Sequence, residues 1–288
     1  MKIGLFSDGL AGFVGAVMDH KVFNLSLAAA EAGDRALDDL AEVLREERFH
    51  VRLFGSLYQR AKDGQRFWHS FESLAFLPLL RPGKILCLGL NYEAHAREGN
   101  VPVPEEPIYF EKAVTAVIAH NQPVMYPSHL GRIDPEVELA VVIGKRARAV
   151  QEAEAKTYIA GYTILNDMTA RDLQQKDIGN HHPWYRSKSL DTFCPLGPWI
   201  VTADEIDPDE PLNIQLRVNG DVRQNSSTGH LVFKVPALIS RISELITLEP
   251  GDIIATGTPE GIGPVYPGDV MEGEIEKIGI LRNPVKKI

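Results

Sequence analysis

From Lys84 onward the chain is a succession of short apolar runs cut by turn residues, and this punctuation limits the fold more than any other feature. Residues 84–90, 139–143, 158–165, 212–218, 252–255 and 270–278 are runs of strand length and composition. Asn219-Gly220 links one of them to residues 221–224. That pair favours a type I′ hairpin, because both central residues need positive φ. Pro267-Gly268-Asp269 marks a second turn. Only residues 235–248 carry a helical stripe in this region, with Leu238, Ile239, Ile242, Leu245 and Ile246 on one side. Many strands without regular strand–helix alternation predict a β-rich α+β domain, not a doubly wound parallel sheet.

The first 80 residues have a different texture. Met1 to Phe6 reads as a strand, and Leu37, Leu40, Ala41 and Leu44 repeat at the spacing of an amphipathic helix. Residues 77–83 read as a linker closed by a turn. The expected division is a small N-terminal α/β domain over 1–80 and a larger domain over 81–288.

Composition excludes several classes. Apolar residues at 44% and charged residues at 24% are those of an ordinary soluble chain. No apolar run reaches the roughly 18–20 residues of a membrane helix, so no membrane span is expected. A formal charge of −9 without a Lys/Arg cluster argues against nucleic acid as a partner. The N-terminus lacks the apolar core and cleavage site of a secretory signal, and Cys87 and Cys194 are distant in sequence. Two reduced thiols in a cytoplasmic protein are therefore expected, with Cys87 buried within Ile85-Leu86-Cys87-Leu88.

The polar residues are more specific. If Glu136-Val137-Glu138-Leu139 is extended, Glu136 and Glu138 project to one side. Two like charges so placed repel unless a cation lies between them. The alternative is a solvent-facing acidic strand end. Asp167 follows an apolar strand at its abrupt polar end, as a functional side chain or as a turn or capping aspartate. Three carboxylates would favour Mg²⁺, Mn²⁺ or Ca²⁺ over zinc. His95 and Glu98 share a face on a helical turn, where a carboxylate can orient a histidine as a general base. Surface helices carry such pairs too. The segment from Thr256 to Gly263 lacks the lysine ending of a phosphate loop, leaving a substrate-hugging loop or a plain turn.

Five ordered segments resemble the fumarylacetoacetate hydrolase family. They are Gly89-Leu90-Asn91-Tyr92 with His95 and Glu98; Glu136-Val137-Glu138; the stretch from Asn166 to Gln174; Lys188 ahead of Asp191-Thr192-Phe193-Cys194-Pro195; and Gly257-Thr258-Pro259 before Gly261-Ile262-Gly263. The resemblance runs from Lys84 to the end of the chain. It implies a mixed β-sandwich roll, usually a homodimer, with Glu136, Glu138 and Asp167 holding Mg²⁺ or Mn²⁺, Ca²⁺ being a further option. It implies that Arg171, Gln174, Lys188 and Thr258 contact the substrate, and that His95 and Glu98 lie on a segment that closes over it. The implied substrate is a small oxo-acid. The implied reaction is hydrolysis of a C–C bond in an acylpyruvate-type 2,4-dioxo acid, through an enolate that the ion stabilises. Lys188 would add positive charge near developing oxyanions, and His95 with Glu98 would activate water. The same resemblance allows isomerase/decarboxylase chemistry on 2-hydroxy-dienedioates or oxaloacetate decarboxylation. A silent binding homologue would have no need of His95, Glu98, Lys188 and all three carboxylates.

Overall fold

A computed structural model describes all 288 residues. The molecule is a sheet-rich α+β assembly of open, mixed sheets, as expected. The largest sheet has twelve strands, and its centre runs Lys2–Ser7, Cys194–Thr202, Ile159–Asn166, Val137–Ile143, Ile253–Ala255 and Ile85–Gly89. Neighbours are antiparallel except Ile253–Ala255 against Ile85–Gly89, which run parallel. A five-stranded sheet, centred on Asn213–Val218, Val270–Ile275 and Gly279–Lys287, packs over one face.

Every residue of Val137–Ile143 is buried, because both faces of this strand are covered. Leu139, Val141 and Ile143 join the core beneath the second sheet and the helix Val235–Leu245. Ala140 and Val142 join a second core with Ile3, Val14, Leu40, Phe54, Ile85, Cys87 and Cys194. That second core lies under the helices Leu25–Glu31, Leu40–Arg45 and Val51–Ala61. Residues 1–80 thus share both a sheet and a core with the rest of the chain, through Lys2–Ser7 paired on Cys194–Thr202.

The expected runs form strands whose ends differ by a few residues. The hairpin at Asn219-Gly220 forms with φ of 54° and 87°, both positive as a type I′ turn requires. The expected helix around 37–44 begins later, at Leu40, because the Asp39 side chain accepts from Ala41 N and caps it there. The stretch 270–278 breaks after Ile275, and Lys277 at φ 65° turns the chain into Gly279–Lys287. Cys194–Thr202 is a central strand despite Pro195 and Pro198, residues that argue against such a place. No helix is long and apolar enough to cross a membrane.

Candidate metal centre and cleft

Strand register assembles the acidic centre. Val137 pairs with Asn166, so the residues flanking that pair, Glu136, Glu138 and Asp167, meet at one sheet end. Asp167 N donates to Glu136 O at 2.7 Å. The Asn166 side-chain oxygen accepts from Glu136 N at 2.8 Å. One oxygen from each of the three carboxylates lies within 4.8 Å of the others, and all three residues are buried. The solvent-facing alternative for the acidic strand end does not hold.

Three cations meet these acids, and a fourth holds the neighbouring Asp134. Lys188 Nζ donates to Glu136 Oε2 at 2.8 Å and to Asp167 Oδ2 at 2.5 Å. Lys112, fully buried at the end of Ile108–Lys112, donates to Asp167 Oδ1 at 2.5 Å. Arg171 spans Asp134 Oδ2 at 2.8 Å and Glu136 Oε1, and its third arm reaches Gln174 Oε1 at 2.6 Å. Arg132 Nε holds the other Asp134 oxygen at 2.7 Å.

Glu138 stands apart. It is buried, pairs with no cation, and accepts one protein hydrogen bond, from Gly257 N at 2.7 Å. Burial first, then repulsion from Asp167, push its carboxyl well above the usual range. Burial also pushes Glu136 upward, but Lys188 and Arg171 outweigh it and hold that carboxyl below the usual range. Two glutamates on one strand end are driven in opposite directions because the protein's cations cluster on one side. An unpaired buried carboxylate beside two others is a donor set that a hard divalent cation fits.

Glu136 and Glu138 floor a cleft of about 740 Å³, with Arg171, Gln174, Lys188 and Thr258 also on its surface. Its other wall is largely apolar, with Leu90, Val101, Phe110, Ile178, Trp184 and Ile262. His95 and Glu98 also line it, from the helix Glu93–Glu98. His95 Nδ1 lies 3.2 Å from Glu98 Oε2, and Glu98 Oε1 accepts from Gly261 N at 3.1 Å. A carboxylate can only accept here, so Nδ1 carries the proton and Nε2 is the basic atom. The Thr258 hydroxyl donates to Val137 O at 2.9 Å and accepts from Gln224 at 2.8 Å. Its proton is therefore committed, whereas the Gln174 amide nitrogen has no protein partner.

The structure thus brings every residue singled out above to one place, with Asp167 set behind the cleft floor. It adds Lys112, Asp134, Thr169 and Gln224. Asp134 was open to inference, since it alternates with Glu136 and Glu138. Lys112 ends an ordinary strand and carries no sequence signal. His181 and His182 lie exposed on a surface loop.

The family described as Fumarylacetoacetate (FAA) hydrolase C-terminal matches residues 84–286. Oxaloacetate tautomerase fahd2, mitochondrial, of Xenopus laevis is 45% identical over 233 residues, covering 78% of this chain and 72% of that protein. A 5-carboxymethyl-2-hydroxymuconate delta-isomerase from Mycobacterium smegmatis superposes with a TM-score of 0.79 at 33% identity, covering 100% of this chain and 99% of that one. The maleylpyruvate hydrolase of Sphingobium sp. SYK-6, in complex with manganese(II) ion and pyruvate, matches with a TM-score of 0.79 at 30% identity, over 100% and 99% of the two chains. With hydrolases, isomerases and tautomerases among its relatives, the chain belongs to the fumarylacetoacetate hydrolase family.

Proposed function

We propose that the protein is a divalent-metal-dependent hydrolase that cleaves the C–C bond of acylpyruvate-type 2,4-dioxo acids. The observation that carries this reading is the oriented His95–Glu98 pair lining the same cleft as Glu136 and Glu138, two of the three clustered buried carboxylates. Glu136, Glu138 and Asp167 would hold Mg²⁺ or Mn²⁺, and manganese accompanies pyruvate in the Sphingobium hydrolase. When bound, the ion polarises the 2-oxo group and stabilises negative charge on its oxygen. Arg171, Gln174, Lys188 and Thr258 surround the bound acid. Lys188 supplies positive charge, Gln174 offers its free amide, and Thr258 offers only acceptor capacity.

His95 Nε2 takes a proton from water, which attacks the distal carbonyl. The bond between that carbon and its neighbour breaks, its electron pair moves toward the 2-oxo oxygen, and the proton held on His95 Nε2 passes to the released carbon, leaving a carboxylic acid and pyruvate. Glu98, by accepting from Nδ1, leaves Nε2 as the atom that takes up the proton and gives it back. The apolar wall suits an acyl tail longer than four-carbon substrates possess. Chemistry resides in residues 81–288, and we assign none to 1–80. A homodimer is part of the proposal on family membership alone, and light scattering at twice 31.9 kDa tests it.

A second reading is enol–oxo tautomerisation of oxaloacetate, favoured by the 45% identity to the Xenopus tautomerase. There His95 would move a proton on carbon, with no attacking water. Purified protein with Mn²⁺ or Mg²⁺ separates the two on acylpyruvates, oxaloacetate and 2-hydroxy-dienedioates, with enol absorbance, pyruvate and CO₂ followed independently. Pyruvate release from acylpyruvates is expected. Enol decay of oxaloacetate without pyruvate release from any acylpyruvate would replace the first reading by the second. No turnover at all would sink both.

A further inference from the structure

The pairing of Ile133–Asp134 with Thr169–Ala170 sets Arg132 beside Arg171, and Arg171 N donates to Arg132 O at 2.8 Å. Two guanidinium groups so placed repel unless an anion lies between them. Asp134, fully buried, is that anion. Its Oδ2 accepts from Arg171 Nε at 2.8 Å and its Oδ1 from Arg132 Nε at 2.7 Å. Asp172 Oδ2 accepts from Arg132 N at 3.0 Å. Arg132 is therefore held at its backbone and at Nε before any ligand arrives.

Both arginines line the cleft, but they differ in what they have left to donate. Arg171 engages Asp134, Gln174 and Glu136 with its three nitrogens. Lys188 is turned onto Glu136 and Asp167, and His95 is engaged by Glu98. Arg132 gives the protein its Nε alone, and neither terminal nitrogen has a protein acceptor. Its side chain keeps 42% of its surface accessible. The two terminal nitrogens form a planar fork whose N–H bonds match the two oxygens of one carboxylate. A guanidinium already pinned at Nε loses little further freedom when that carboxylate binds.

We infer that Arg132 is a specificity-determining residue that grips a second carboxylate, at the far end of the acyl tail, so that the preferred substrate is a dianionic 2,4-dioxo-dioate. The inference rests on the hydrolase reading and narrows its substrate class. Asp134 and Arg171 intervene between the fork and Glu136, which assigns the fork to the tail and not to the end of the substrate held at the acidic centre. The apolar wall formed by Leu90, Val101, Phe110, Ile178, Trp184 and Ile262 accommodates the uncharged carbons between the two ends. Hydrolysis of such a substrate releases pyruvate and a dicarboxylic acid.

Paired substrates of equal length test it. With Mn²⁺ present, wild type should turn over 2,4-dioxooctanedioate with a kcat/KM about tenfold or more above that for 2,4-dioxooctanoate, the effect expected of charge-assisted hydrogen bonds. The gain should lie in KM, since the fork touches no reacting atom. Arg132→Met keeps the stem, removes the fork, and should bring the ratio of the two close to unity. Arg132→Lys keeps the charge without the fork and should fall between, and it carries the comparison should Arg132→Met fail to fold. A purely structural role lowers both substrates together, so an unchanged ratio in the variants overturns the inference. A ratio near unity in wild type does the same, and either result leaves the hydrolase reading standing. Turnover of neither substrate overturns the hydrolase reading. Calorimetry with 2-oxooctanedioate and 2-oxooctanoate, which lack the second oxo group, then decides the fork by itself on the Mn²⁺-loaded protein. Diacid binding about tenfold tighter, and lost in Arg132→Met, supports the fork, whereas equal binding in wild type or an undiminished preference in the variant overturns it.

Discussion

Replacing Glu138 by alanine removes a buried carboxylate that no protein cation neutralises. Mn²⁺ affinity by calorimetry should fall by at least about 100-fold, more than loss of a supporting residue costs. An unchanged affinity would remove Glu138 from the ligand set. His95→Ala should lower acylpyruvate hydrolysis by about 10²–10⁴-fold, the usual contribution of a general base. Any decarboxylation of oxaloacetate should survive, since it needs no attacking water, and equal loss of both would contradict the water-activating role. These residues were legible because chemistry and geometry coincide in one dimension: glutamates two apart on a strand, an aspartate ending its neighbour, and His95 three before Glu98. Lys112 was not legible, because its partner Asp167 lies across the fold and nothing near Lys112 in sequence announces it.

The loop at Gly261 shows how an element holds such a side chain. Its φ of 97° is a conformation that favours glycine, and an added Cβ would lie 2.1 Å from Arg223 O. Its amide is the donor that anchors Glu98. Gly261→Ala should therefore displace the loop, cost about 1–3 kcal/mol of local strain, and reduce kcat by roughly tenfold or more through loss of the Glu98 anchor. Mn²⁺ binding should be unaffected, which distinguishes loop displacement from damage to the acidic centre. At this scale the sequence was readable where period and turn chemistry agreed, as at Asn219-Gly220. No strand was legible where side chains spoke against the backbone, as in Cys194–Thr202, whose prolines sit in a sheet centre. The helix Arg171–Gly179 was hidden because its polar residues make no apolar stripe.

Across the whole molecule, His120 ties distant parts of the chain together. Its ring packs 4.5 Å from that of Phe76, and its Nδ1 accepts from Arg282 N at 3.1 Å. Burial, then Arg282, lower its pKa from 6.5 to about 4. Between these values the unfolded chain binds a proton that the folded chain excludes, so stability declines as pH falls through that window. By pH 5 the loss should reach about 2 kcal/mol relative to pH 7. Urea midpoints of wild type and His120→Gln at the two pH values check it: the variant should lose less, and parallel losses would exclude His120 as the cause. The seam between residues 1–80 and the remainder has its own reporter. Cys87 and Cys194 both lie in the core shared across it, fully buried, and burial pushes Cys194 up to about 12 and Cys87 well above its usual range. Native molecules are thus silent to alkylating reagents, and labelling counts openings of the seam. Equal rates at the two thiols in dilute denaturant are expected, marking one cooperative event, whereas a faster Cys87 or Cys194 would reveal that the seam unzips from one side.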